Sequence, residues 1–156
     1  MTAFLLVKIL HIIGACVLLG TGAGIAFFML MAHRGGDPRI IAHTAGVVVL
    51  ADTVFTATAV AAQPITGVAL VWMAGHSLRD GWVLASLVLY GVTGLFWLPV
   101  VWMQVRMGRL ARHAVAEGAP LPPAYHRLFR LWFAFGFPAL AAVLGIIALM
   151  VLRPAF

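Results

Sequence analysis

Two ionisable residues lie inside apolar stretches of this sequence, where a charged group is costly. His11 lies in the first apolar stretch and Asp52 in the second. Ionisable residues within a membrane span are rare and are functional candidates by default. A neutral imidazole can ligate a metal, and a carboxyl group can bind and release a proton. His11 is therefore the candidate metal ligand, and Asp52 is the candidate catalytic or titrating residue.

Small residues continue the helical face on which His11 lies. Gly14 and Gly22 leave space on this face, and a flat macrocycle held by an axial imidazole needs such a groove. The pattern predicts a b-type haem (haem b) site with His11 as the axial ligand. The alternative is that the imidazole of His11 donates a hydrogen bond to a carbonyl of a neighbouring helix.

A second haem ligand would have to lie at the same depth in the membrane as His11. His76 and Met73 lie near that level in the predicted topology, and either one can supply the sixth ligand. The alternative places His76 in a loop in water and Met73 at the membrane interface. Gln63 completes the candidate cofactor-binding residues.

A polar stripe follows Asp52 along the second apolar segment. Asp52 is about 15 Å from the inner boundary at 1.5 Å per residue, and Thr56, Gln63 and Thr66 follow on the same helical face. Such a face must contact protein rather than lipid. The third segment carries a matching stripe, made of Tyr90, Gly94, Trp97 and Gln104. The two stripes form either a proton or substrate path through Asp52 or an interhelical hydrogen-bond network.

The composition identifies lipid as the solvent of this chain. Of the 156 residues, 64% are hydrophobic and 9% are charged, whereas soluble domains carry about a quarter charged residues. The net charge of +6 comes from basic residues at the ends of apolar segments, which excludes an extended nucleic-acid-binding surface. The single cysteine, Cys16, excludes an internal disulfide.

The apolar segments predict an all-α fold, an integral membrane four-helix bundle forming one domain over residues 1–156. The predicted helices cover residues 9–32, 40–74, 82–105 and 128–152, with a bend at Pro64. A long basic loop is predicted from Arg106 to Arg127. Seven of the ten Lys and Arg residues follow segments one and three, so the positive-inside rule predicts an N-out, C-out topology. An aromatic belt is predicted from Trp72, Trp82, Trp102 and Trp132.

Several short motifs carry a resemblance to known membrane proteins. They are Lys8-Ile-Leu-His-Ile-Ile13, Gln63-Pro-Ile-Thr-Gly67, Gly81-Trp82 and Trp97-Leu-Pro-Val100. Together they resemble a family of predicted bacterial integral membrane proteins of unknown function, over essentially the whole chain. This resemblance implies a multi-pass protein of the bacterial inner membrane.

A more distant resemblance extends to the membrane protoporphyrinogen oxidase of bacterial haem synthesis, and the copper-resistance protein D family looks related. It rests on the opening motif, His33, residues 64–67 and Gly81-Trp82. The resemblance to the oxidase implies that His11 ligates a b-type haem. Ala85 and Gly91 stand about where the oxidase has a lysine and a histidine, and the first segment lacks an arginine-proline pair.

Three hypotheses for function follow from these residues. The leading one is a haem-binding membrane protein that acts in electron transfer or porphyrin oxidation as a haem-dependent oxidoreductase. The second is a small-solute or metal-ion transport protein with a polar path through Asp52. The third is an accessory subunit of a larger membrane complex. The predicted partners are the lipid bilayer and either further copies of this chain, as a homo-oligomer, or other subunits.

Overall fold

The computed structural model describes residues 2–154, and within this range the protein is helical and contains no β-strand. Its elements are α1 (Thr2–Gly35), α2 (Pro38–Ala51), a π-helical turn (Asp52–Thr56), α3 (Ala57–Met73), α4 (Gly81–Glu117) and α5 (Pro123–Leu152). The π turn joins α2 and α3 into one span, Pro38–Met73. Four helices are therefore long and apolar enough to cross a membrane, which confirms the predicted all-α architecture.

The basic segment after the third span is mostly helical, so the prediction of a long loop was wrong. Helix α4 continues to Glu117, and only residues 118–122 connect it to α5. The extension is amphipathic because Met107, Ala111 and Ala114 recur at helical spacing and are buried, while Arg109 and Arg112 on the other face are exposed. Leu, Ala, Arg and Met also have high helix propensity.

The corner between α1 and α2 is shorter than predicted and is made by Gly36 and Asp37. Gly36 adopts a positive φ of 70°, which glycine accepts without a steric cost. The carboxylate of Asp37 accepts a hydrogen bond of 2.8 Å from the backbone N–H of Arg39 and so caps α2. Pro38 occupies the first turn, where its missing N–H has no cost.

Contacts between the ends of different helices establish an up-and-down helix order. The ring of His33, near the end of α1, stacks on Phe129 near the start of α5, with ring centroids 3.6 Å apart. At the opposite end, the guanidinium of Arg153 lies over the ring of Trp82. One end of the bundle therefore collects most of the basic residues. We call it the arginine-rich end, and it contains Arg34, Arg39, Arg106, Arg109, Arg112, Arg127 and Arg130.

The hydrophobic core lies in the half of the bundle nearest the arginine-rich end. There α2 packs against α4, α4 packs against α5, and side chains from α1 complete the core. Its largest fully buried hydrophobic side chains are those of Met29, Ile41, Met107 and Tyr125. In the other half α3 packs closely on α1 but makes little close contact with α4 or α5. The two helical pairs, α1 with α3 and α4 with α5, are therefore joined there by a few specific contacts.

One of these contacts depends on Pro64 in α3. Proline lacks an N–H, so the carbonyl of Val60, four residues earlier, loses its intrahelical donor. The hydroxyl of Tyr90 on α4 donates a hydrogen bond to this carbonyl. A backbone group freed within the membrane must find another partner, and Tyr90 provides it.

Replacing Tyr90 with phenylalanine is expected to lower the free energy of unfolding by about 0.6 kcal/mol, and by no more than about 1.7 kcal/mol. In a Pro64→Ala background the same replacement is expected to have a smaller effect, because the N–H of residue 64 can then pair with Val60. Unfolding of the wild type, the two single variants and the double variant in mixed detergent micelles measures both values. Equal losses in the two backgrounds would show that the proline does not create the need for Tyr90.

Candidate functional sites

The first polar cluster joins α1 to α3 and centres on His11. The Nδ1 atom of His11 lies 2.8 Å from the hydroxyl oxygen of Thr66. The side-chain amide of Gln63 donates a hydrogen bond of 2.8 Å to the backbone carbonyl of His11. The imidazole also packs on Gly67, whose ideal Cβ position lies 3.3 Å from its Cε1 atom. We call His11, Gly14, Gln63, Thr66 and Gly67 the His11 cluster.

The hydrogen bonds of Thr66 favour the tautomer of His11 that has the proton on Nδ1, since the roles in this pair depend on the tautomer. A hydroxyl group has one proton, and that of Thr66 is directed at the carbonyl of Ala62, 2.8 Å away in the same helix. The oxygen of Thr66 therefore accepts, and Nδ1 of His11 donates. The lone pair then lies on Nε2, which has no hydrogen-bond partner among residues 2–154 and is not sealed from the surface.

The groove predicted along the glycines of α1 is filled at one position and absent at the other. The amide of Gln63 occupies the space that a side chain at position 14 would fill. Gly22 is exposed, and nothing lies within 4 Å of its ideal Cβ position. Gly14 therefore serves close packing of α1 on α3, as small residues do in membrane helices, and Gly22 belongs to the outer surface of the bundle.

His76 lies apart from the His11 cluster. It lies beyond the end of α3 at Met73, in the turn near the end of the bundle, where its backbone N–H donates to the carbonyl of Val71. Its Nδ1 atom is 3.2 Å from the carboxylate of Asp80, and its ring packs edge-on against Trp82. The expectation that His76 lies level with His11 was wrong, because the residues opposite His11 are Gln63, Thr66 and Gly67.

The second polar cluster surrounds Asp52 between the π turn, α4 and α5. Asp52 is only 4% exposed and Gln104 only 1%. With the Gln104 amide oriented to satisfy both of its neighbours, its nitrogen donates to Oδ2 of Asp52 at 2.7 Å and its oxygen accepts from Nε1 of Trp132 at 3.2 Å. A longer contact of 3.5 Å runs from Nε1 of Trp97 to Oδ1 of Asp52. We call Asp52, Thr56, Trp97, Gln104 and Trp132 the Asp52 cluster.

Two side-chain N–H donors, those of Gln104 and Trp97, point at the carboxyl group of Asp52, and within residues 2–154 no basic residue pairs with it. Trp132 donates to Gln104, and Gln104 and Trp97 donate to Asp52. The ion pairs found within residues 2–154 involve Asp80 and Glu117, not Asp52. Thr56 lies near the same carboxyl group, yet its buried hydroxyl has no partner with hydrogen-bonding geometry in the described residues. These hydrogen bonds favour an ionised carboxylate, whereas burial without a counter-ion favours the protonated acid. The group can therefore hold either a proton or a charge that a cation neutralises.

The π turn divides the predicted polar stripe between two partners. The N–H of Ala57 donates to the carbonyl of Asp52, five residues earlier, and one residue inserted in this way rotates the rest of the helix by about 100°. Asp52 therefore faces α4, whereas Gln63 and Thr66 face α1. The expectation of one continuous stripe was wrong, but its residues are all directed at protein.

The stripe predicted on the third span largely faces the second span as expected. Trp97 and Gln104 contact Asp52, and Tyr90 contacts the carbonyl of Val60. Trp132 was assigned to the aromatic belt from its position near a segment end, but it is 4% exposed and belongs to the Asp52 cluster. Its spacing from Phe129 on one face of α5 is the signal that indicates a buried position.

Four apolar helices and two polar clusters directed at protein define a multi-pass integral membrane protein. Residues 5–154 match the family described as predicted integral membrane protein (DUF2269), so the chain belongs to this family. No curated protein and no solved structure matches the chain. The predicted membership in a membrane protein family of unknown function is therefore confirmed.

Proposed function

We propose that this protein binds b-type haem through Nε2 of His11 and acts in electron transfer or porphyrin oxidation. The observation that carries this proposal is the hydrogen bond between Nδ1 of His11 and Thr66. Metal-ligating histidines nearly always donate a hydrogen bond from the N–H of their other ring nitrogen to a neighbouring acceptor, which fixes the tautomer and the ring orientation. The motifs that prompted the resemblance to the membrane protoporphyrinogen oxidase imply the same role for His11.

The residues around His11 fit one half of a haem site. The accessible Nε2 atom and the hydrogen-bonded Nδ1 atom suit an axial ligand, and apolar exposed residues such as Leu10 and Ile13 suit an apolar macrocycle. The space beside Gly14 cannot hold the macrocycle, because the side chain of Gln63 fills it. His11 would therefore hold the haem through Nε2, and the exposed apolar residues would contact it. Bound haem would supply the redox chemistry, and this chain would supply the ligand and an apolar surrounding.

The absorption spectrum of protein purified in detergent from haem-supplemented cells tests this proposal. We expect a Soret band that is lost in His11→Ala and kept in His43→Ala, which removes an exposed histidine of α2. In His11→Gly, added imidazole is expected to restore the band, which separates ligand loss from misfolding. A colourless wild-type protein that elutes as a folded species would overturn the proposal.

A second candidate function is movement of protons or small cations through Asp52. It is favoured by the buried carboxyl group at a π turn, since single π turns within α-helices are frequent at functional sites. The N–H donors of Trp97 and Gln104 hold the carboxylate in place, and a proton or cation would neutralise it. Because four helices leave little room for a large solute, we propose a proton as the transferred species.

Infrared spectroscopy of the protein in lipid tests the second candidate. We expect a carboxylic-acid C=O band that grows as the pH falls and that is missing in Asp52→Asn. Asp80→Asn, which changes a carboxyl group at the end of the bundle, is the matched control and is expected to keep the band. A band that is the same in Asp52→Asn and in the wild type would exclude Asp52 as the proton-binding group.

A further inference from the structure

A small cavity lies between α2 and α4 on the side of Asp52 nearest the arginine-rich end. It has a volume of about 90 Å³ and is partly open. One of the residues that line it is Gln104, which is the direct partner of Asp52. Around it lie Ala45, Gly46, Val49, Gln104, Gly108 and Arg112.

Small residues create this cavity. Ala45 and Gly108 bring the two helices so close that an ideal Cβ at position 108 lies 3.1 Å from the Cβ of Ala45. Gly46 leaves open space beside this contact, with nothing within 4 Å of its ideal Cβ position. The close approach of the helices and the missing side chain at position 46 together leave a passage that is narrow but not closed.

The lining is mostly apolar, and its two polar side chains, Gln104 and Arg112, are the groups that can hold water. The side-chain nitrogen of Gln104 carries two protons and uses one for Asp52, so one remains for a water molecule. The exposed Arg112 lies toward the arginine-rich end and its side chain lines the same cavity. A water needs about 10–15 Å³ on this measure and two or more polar partners, so the cavity has room for several waters linked to these two groups.

We propose that this cavity is a hydrated half-channel that leads from the arginine-rich end of the bundle to Gln104 and ends there. Asp52 then exchanges protons with the aqueous phase on that side of the membrane, when the Gln104 side chain admits water to its carboxyl group. The buried Thr56 hydroxyl lies about one helical turn beyond Asp52, on the side away from the arginine-rich end. This inference rests on the second candidate function and adds that protons reach Asp52 from the arginine-rich end.

Silver-ion labelling of a cysteine at position 49 tests for water in the cavity. Val49 lines the cavity, whereas the neighbouring Leu50 is 63% exposed on the outer surface, where it faces lipid. In a Cys16→Ala background, we expect Val49→Cys to react with Ag⁺ at least about tenfold faster than Leu50→Cys, because the thiolate that binds the metal forms in water and not in lipid. The reaction is read as protection from later alkylation of the denatured protein.

Two further measurements establish the direction of access. In vesicles of known orientation, Val49→Cys is expected to react when Ag⁺ is added at the arginine-rich side and not from the other side. Adding Gly46→Val, which places a side chain in open space at the cavity, is expected to slow the reaction several-fold. Equal rates for Val49→Cys and Leu50→Cys would show a dry or lipid-filled cavity, and access from the opposite side would show the wrong direction.

The outcome of the Ag⁺ labelling does not depend on whether Asp52 binds a proton. A hydrated cavity with no titrating carboxyl band would retain the half-channel and remove the second candidate function. A dry cavity with a titrating carboxyl band would remove the half-channel and retain the second candidate function.

Discussion

Replacing Thr66 with valine is expected to weaken haem binding about 10- to 100-fold, the usual effect of removing the partner of a ligating histidine. Valine has nearly the same shape as threonine, but it has no oxygen to accept the Nδ1 proton of His11. The imidazole then loses the contact that fixes its tautomer and orientation. Titration of haem into the apoprotein, followed at the Soret band, measures the change in affinity.

Thr58→Val is the matched control for this prediction. Thr58 is on the same helix and, like Thr66, donates its hydroxyl proton to the carbonyl four residues earlier, but it is exposed and does not contact a histidine. We expect Thr58→Val to bind haem as the wild type does. If both variants keep the wild-type affinity, Thr66 does not position the ligand, and its contact with His11 serves helix packing alone.

The His11 cluster could be predicted in part from the sequence. His11, Gly14 and Gln63 were selected as candidates, and the structure brings all three together. The pairing of α1 with α3 was not predictable, because the period of a helix shows which residues share a face but not which helix that face meets. Gly22 was misassigned for this reason, since it shares the face of His11 but no neighbouring helix covers it.

The Asp52 cluster shows a different limit of sequence reasoning. Asp52 and its facing residues Trp97 and Gln104 follow from polarity within apolar segments. The π turn does not, because no residue type requires it, and its effect is to redirect everything after Thr56. The bend was expected at Pro64, whose main observed consequence is the free carbonyl that Tyr90 binds.

Helix ends were the least accurate part of the prediction. The hydrophobic segments identified four spans correctly, but hydrophobicity ends at the membrane boundary whereas a helix continues until its hydrogen bonding stops. Helix α4 passes Arg106 and ends at Gly118, which adopts a positive φ of 61°. The arginines of this extension therefore have fixed positions on a helix, and Arg112 reaches the cavity beside Gln104 for this reason.

The largest loss of stability is expected from Gln104→Leu, which removes the donor to Asp52 and the acceptor for Trp132 at once. An unpaired buried charge costs several kcal/mol, and an unsatisfied neutral donor costs about 1–3 kcal/mol. We expect the free energy of unfolding in mixed micelles to fall by about 2–4 kcal/mol. Gln63→Leu, which removes one hydrogen bond to the carbonyl of His11, is expected to cost only about 0.6 kcal/mol.

The loss of stability from Gln104→Leu, compared between the wild type and an Asp52→Asn background, reports whether Asp52 is charged. Asparagine is neutral, so removing its partner leaves an unpaired polar group but no unpaired charge, and the loss is expected to fall to about half. If Gln104→Leu costs the same in both backgrounds, Asp52 is already neutral at that pH, and the two N–H groups directed at it bind a carboxylic acid. Repeating the comparison at higher pH then distinguishes the two states, since only an ionised Asp52 restores the difference between the backgrounds. The stability cycle thereby tests the proton-binding role without any assay of transport.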